Sequence, residues 1–128
     1  MPGTMANVNS GVYIAIFYLA KARMITAGRL GRVLFPAGLY LYVGSAQKNL
    51  SHRLERHARK NKRLRWQIDY LSCHATMVGA VVIDGKKNLE CRLAVRLATR
   101  YSRPVLGFGA SDCRCPGHLF YLPKSIRA

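Results

Sequence analysis

Glu90 is a carboxylate in an apolar stripe. At about 100° per residue, a helix over Asn88 to Arg100 puts it on one face with Leu89, Leu93, Ala94, Leu97 and Tyr101, while Arg92, Arg96 and Thr99 point elsewhere. An unpaired buried carboxylate is costly, so this position calls for a cation: a divalent metal ion, or an arginine at the helix start. Arg53 and His57 are spaced i, i+4 in a segment without Gly or Pro, and so neighbour each other on a helix beside Leu50 and Leu54. A guanidinium offers a planar fork of donors suited to phosphate oxygens, although a single Arg more often belongs to a solvated basic face. For His57, a proton shuttle or phosphate contact competes with plain surface exposure.

Around these residues lies a dense run of cations. Arg53, Arg56, Arg59, Lys60, Lys62, Arg63 and Arg65, ending at Trp66, form a surface able to track a phosphate backbone. Trp66 either stacks on a base or caps the core, and its size favours the core. The whole chain has 21 Lys and Arg against 5 Asp and Glu, a net charge of +16, which points to a polyanionic partner. An anionic membrane would require an amphipathic helix with a broad apolar face or a lipid anchor, and neither is visible. Gly11 to Ala20 is too short to span a bilayer and lacks a basic segment before it. Cys113, Cys115 and His118 invite a zinc reading, with Cys73, His74 or Cys91 as fourth ligand. However, Cys-x-Cys is tighter than the usual structural-zinc spacing, and a turn packed beneath the site, with Asp112 in support, is the plainer reading. Without a secretion signal, the cysteines are expected to be reduced and the protein cytoplasmic.

These side chains need a scaffold, and 128 residues, half of them hydrophobic, suffice for one domain. Residues 1–10 read as a loose polar tail, 11–122 as the domain and 123–128 as a second tail. Val12 to Leu19 reads as a strand buried on both faces. Met24 to Ala27 is a possible return strand, after which Gly28, Gly31, Pro36 and Gly38 break the chain before a strand at Leu39 to Val43. Gly44 and Ser45 end that strand. Helices are expected over Lys48 to Lys60, Leu64 to Leu71 and Asn88 to Arg100, with a strand at Thr76 to Ile83 and a last one at Leu119 to Leu122. The order predicts an α/β (α+β) fold: a small central antiparallel or mixed sheet flanked by helices, with an extra C-terminal strand.

Gly11-Val12-Tyr13 on the first strand and Tyr42-Val43-Gly44 on the second, followed by Arg53 and Glu90 on successive helices, resemble the GIY-YIG nuclease superfamily. The stretches LYVGSAQKNLSHRLERHARK, RWQIDYL and GFGASDCRCPGHLFYL resemble a compact stand-alone branch of it, and the resemblance covers roughly Gly11 to Leu122. It implies a central antiparallel sheet and a site where Tyr13, Tyr42, Arg53 and Glu90 converge. Glu90 would hold one divalent metal ion, Mg or Mn, and Arg53 the scissile phosphate. Tyr13 would activate or orient water, with its pKa lowered by the metal or a basic neighbour. Tyr40 shares a strand face with Tyr42, so either can be the working phenol; Gly44 would let the chain turn sharply. Two departures stand out. The gap from Tyr13 to Tyr42 is long, so Lys21 to Pro36 must form an extra strand or loop. Arg65 and Gln67 occupy positions where related sequences tend to carry histidines.

The expectation is thus a metal-dependent endonuclease acting on nucleic acid, DNA ahead of RNA, in repair or processing. Its catalytic residues would be Tyr13, Tyr42, Arg53, His57 and Glu90, with Arg56, Arg59, Lys60, Lys62, Arg63 and Arg65 along the backbone. Rival readings are a non-catalytic binding module of the same fold and a small RNA-associated basic protein.

Overall fold

The computed structural model describes residues 9–102, 108 and 117–123. Strands β1 (Gly11–Leu19), β4 (Gly38–Ala46), β5 (Thr76–Ile83) and β6 (Leu119–Pro123) form one sheet in the order β5-β1-β4-β6. Every neighbour pair is antiparallel, so the sheet is antiparallel rather than mixed. Helices α1 (Leu50–Ala58), α2 (Gln67–Ser72) and α3 (Asn88–Leu97) flank it.

The strands alternate, and each face packs against different elements. Tyr13, Ala15, Phe17 and Leu19 of β1 are buried with Leu50 and Leu54 of α1 and Ile68 and Leu71 of α2. On the opposite face, Val12 and Val43 pack with Phe120 and Ala94, joined by Leu89, Leu93 and Leu97 of α3. The second face is covered only in part: Ile14, Ile16 and Tyr18 stay half-buried. The expected burial of β1 on both faces therefore holds fully only near Val12, because a ten-residue helix cannot roof a nine-residue strand from end to end.

The long gap between the tyrosines is filled by a separate hairpin, β2 (Arg23–Thr26) against β3 (Arg32–Phe35). Ile25 and Phe35 anchor it to the core. Gly28 and Gly31 carry φ of 56° and 75° in the turn between its strands, a backbone region open chiefly to glycine. Residues read as breakers thus enclose a strand, Arg32–Phe35.

Several boundaries shift for local reasons. β4 runs through Gly44 and Ser45 to Ala46 instead of ending there. α1 begins after Asn49, which is left-handed at φ 58°, and stops at the extended Arg59. Its first amides are met from outside the helix: Asn9 accepts from the Asn49 N–H through Oδ1 (2.8 Å) and from the Leu50 N–H through its carbonyl (3.1 Å). Asn9, expected in a loose tail, is therefore docked, and Pro123 belongs to β6 rather than to a tail. α2 starts at Gln67 rather than Leu64 because Arg65 and Trp66 donate their N–H groups to the Asp69 side chain at 2.8 and 2.9 Å. α3 ends at Leu97, and Ala98 to Arg100 continue as turns.

Candidate functional site

Where β1 begins and β4 ends, a cavity of about 560 Å³ opens at the end of the sheet, within reach of helices on both faces. Tyr13 enters from β1, Tyr42 and Ser45 from β4, Arg53 and His57 from α1, Arg65 to Gln67 from the start of α2 and the approach to it, Lys87 from the turn before α3 and Glu90 from α3. All five side chains expected to do chemistry line this one space. Tyr40 does not: it is fully buried, and its hydroxyl donates to the Pro36 carbonyl. Tyr42 is the phenol at the cavity.

Gly44 explains how the tyrosines fit. It sits opposite Tyr13 in the β1–β4 register, and a Cβ there would lie 2.5 Å from Cζ and the hydroxyl of Tyr13. The Tyr13 ring lies across a bare backbone, so the glycine serves close approach, not a sharp turn.

Tyr13 and His57 form the buried half of the site. The Tyr13 hydroxyl lies 2.8 Å from His57 Nε2, and the Tyr42 ring meets the imidazole edge-on at 5.8 Å. His57 is 1% exposed, which removes the surface reading. Burial, with the Lys62 charge second, lowers its pKa to about 3, so the ring is neutral, and its tautomer sets which partner donates in the Tyr13 contact. His57 Nδ1 has no partner among the described residues. A basic neighbour does not give Tyr13 the expected lowering: burial pushes this hydroxyl well up, and the opposing effect of Arg53 does not offset it. Burial does the same to Tyr42.

Glu90 forms the other half. Its Oε1 accepts from Ser45 Oγ at 2.5 Å, and its Oε2 lies 2.7 Å from His118 Nδ1. Burial alone would raise this carboxyl, but the His118 and Ser45 hydrogen bonds, helped by the charges of His118 and Lys87, hold it below the usual carboxylate range. Its partners are a hydroxyl and an imidazole rather than the arginine considered from sequence. Arg53 points back to β4, donating from Nη1 to the Ser45 carbonyl at 2.6 Å. Ser45, which nothing in the sequence singled out, thus joins α1, β4 and α3: its carbonyl holds Arg53 and its hydroxyl holds Glu90.

The basic run divides. Arg56 makes a two-pronged ion pair with Asp69, both contacts at 2.8 Å, and also donates to the Arg63 carbonyl. Lys62 donates to the carbonyls of Arg56 and His57 and to Ser72 Oγ. These two face inward, contrary to their expected place on an outer surface. Arg59, Lys60, Arg63 and Arg65 are exposed. Trp66 is half-buried against the core, with the guanidinium carbons of Arg53, Arg56 and Arg65 between 4.5 and 5.5 Å from its ring centroid. It holds arginines at the cavity wall through cation–π contacts.

The donor set can be tested against a divalent ion. Among the described residues no three His, Cys, Asp or Glu side chains are placed to hold a metal ion together. One ionised carboxylate facing a cavity lined with hydroxyls does suit Mg²⁺ or Mn²⁺, which keep much of their shell as water or phosphate oxygen. Cys113, Cys115 and Asp112 lie outside the described residues, and Cys91 Sγ is 3.9 Å from His118 Nε2. No helix among the described residues is long and apolar enough to cross a membrane.

A family model described as a domain of unknown function, DUF123, matches residues 12–128. The chain belongs to that family. No curated protein and no solved structure matches it.

Proposed function

We propose that this protein is a metal-dependent endonuclease of the GIY-YIG type, hydrolysing phosphodiester bonds in nucleic acid, DNA ahead of RNA, in repair or processing. The observation that carries the reading is the convergence of Tyr13, Tyr42, Arg53, His57 and Glu90 on one cavity in a chain of charge +16. The GVY and YVG motifs support it, since their strands are neighbours in the sheet and Tyr13 lies against Gly44.

Glu90, aimed by Ser45 and His118, would hold the metal through its remaining lone pairs. When bound, Mg²⁺ or Mn²⁺ supplies a Lewis acid that offsets charge on the phosphoryl oxygens. The guanidinium of Arg53 donates to a phosphate oxygen as charge develops there. The Tyr13 hydroxyl, kept neutral by burial, orients the attacking water by a hydrogen bond, and His57 Nε2, 2.8 Å away, holds the phenol in place.

The test is a nicking assay on plain and branched DNA and RNA, with Mg²⁺ or Mn²⁺ present and then chelated. Cleavage that chelation abolishes is the expected result. Nucleic-acid binding without cleavage of any substrate in either metal would leave a binding module of the same fold.

A further inference from the structure

The cavity does not end at Lys87. A second hollow of about 530 Å³ shares Ser45, Ala46, Gln47 and Lys87 with it, so the two adjoin along β4 and the turn before α3. The second part is lined by the small residues Gly11, Ala46 and Gly85 and by Lys86 and Lys87. No carboxylate lines this part among the described residues. The lysines stand on a fixed backbone: the Leu89 and Glu90 N–H groups donate to the carbonyls of Lys86 and Lys87 at 2.9 and 3.0 Å. A Cβ at Gly85 would come within 2.5 Å of the Leu89 side chain, so the turn is seated against the start of α3. Both lysine side chains are exposed, and Lys87 is close enough to Glu90 for its charge to act on that carboxylate.

We infer that the second hollow is a phosphate subsite for the same polynucleotide strand, in which Lys86 and Lys87 take the backbone beyond the reacting phosphate while Arg65 flanks that phosphate at the other end. This rests on the nuclease reading above and extends it: a strand lying across both hollows with cations at both ends is bound internally and cut away from its termini. Small lining residues leave room for sugars, and a lining with two cations and no acid among the described residues matches successive phosphates. The exposed cations that the sequence brings to notice, Arg59, Lys60 and Arg63, lie elsewhere, in the segment between α1 and α2.

Binding of a fluorescein-labelled oligonucleotide, measured by anisotropy in chelator, tests this without calling on cleavage. Salt titrations would compare wild type, the double variant Lys86→Gln/Lys87→Gln, and a charge-matched control, Arg92→Gln/Arg96→Gln, on the exposed side of α3. Two lost phosphate contacts should lower the slope of log affinity against log salt by about 1.4 to 1.8, with the control near wild type. Lysine acetylation read by mass spectrometry should show Lys86 and Lys87 protected by the oligonucleotide. Equal slopes for the two double variants, or unprotected lysines in a saturated complex, overturn the subsite and leave the nuclease reading standing. A wild type that binds no polynucleotide overturns both.

Discussion

Asp69 and Glu90 are both helix-borne carboxylates beside the cavity, and their surroundings differ in kind. Asp69 is 0% exposed and accepts four hydrogen bonds: Arg56 takes both oxygens, and the N–H groups of Arg65 and Trp66 both donate to Oδ2. Burial would raise its pKa, but Arg56 and those N–H groups hold it below the usual range. Glu90 is half-buried, each oxygen has one partner, and it faces the cavity. Glu90 thus accepts two hydrogen bonds where Asp69 accepts four, and only Glu90 turns its remaining acceptor capacity toward the cavity. The first joins α1 to the start of α2; the second is available to an incoming cation. Satisfaction, more than burial, separates the structural acid from the candidate ligand.

The largest effect should come from removing each charge in turn. Glu90→Gln keeps the shape and an acceptor for Ser45, so the fold should survive while cleavage falls by about a thousandfold or more, several kcal/mol of metal-supplied stabilisation. Nucleic-acid affinity should hold or rise slightly as one negative charge leaves a phosphate site. Wild-type cutting rates in a folded Glu90→Gln would remove Glu90 as the ligand. Asp69→Ala should do the reverse. Leaving Arg56 buried without its partner costs about 3 to 5 kcal/mol, visible as a lower urea midpoint. A loss below 1 kcal/mol would mean that the Arg56 pair is solvated and the contrast between the two acids is false.

Gly44→Ala should have a smaller effect that falls on the site rather than the scaffold. Its Cβ would displace the Tyr13 ring, at an overpacking cost of about 1 to 3 kcal/mol, and would move the phenol away from His57. Reduced cleavage with unchanged nucleic-acid affinity is the expected pair of readings. Unchanged cleavage would show that Tyr13 need not lie where β4 now holds it.

Much of this was legible in the sequence, for reasons that differ by region. Thr76 to Ile83 and Leu119 onward were found because β-branched and aromatic runs bounded by turn residues have few other solutions. Glu90 stood out because an acid is rare in an apolar stripe. Arg32–Phe35 was hidden: a four-residue strand between Gly31 and Pro36 looks like a loop until its partner Arg23–Thr26 is known. The role of Asp69 was also missed, although it is the only acid between Glu55 and Asp84 and so had to meet one of the many cations around it. Ser45 and Asn9 act through contacts 45 and 40 residues away in sequence, which local patterning cannot report.

His57 lies between the two acids and offers the finest test of the contrast. Its carbonyl takes the Lys62 ammonium on the Asp69 side, and its ring meets Tyr13 on the cavity side. Its pKa falls from 6.5 to about 3 on folding, so between those values the unfolded chain binds a proton that the native protein does not. Stability therefore rises with pH in this window: the contribution is complete above pH 6.5 and is lost as pH falls toward 3. The carboxylates of Asp69 and Glu90, also lowered on folding, add losses of the same sign, but only lower down, where the unfolded chain begins to protonate them. From pH 6 to 5 the His57 share should approach one proton, about 1.4 kcal/mol per pH unit. Urea unfolding of wild type and His57→Gln across that range isolates it, because glutamine can accept from Tyr13 and does not titrate. The stability difference between the two should shrink steadily as pH falls. A constant difference would mean that the native imidazole takes up its proton as readily as the unfolded one, and the buried contact with Tyr13 would then not exclude a charged ring.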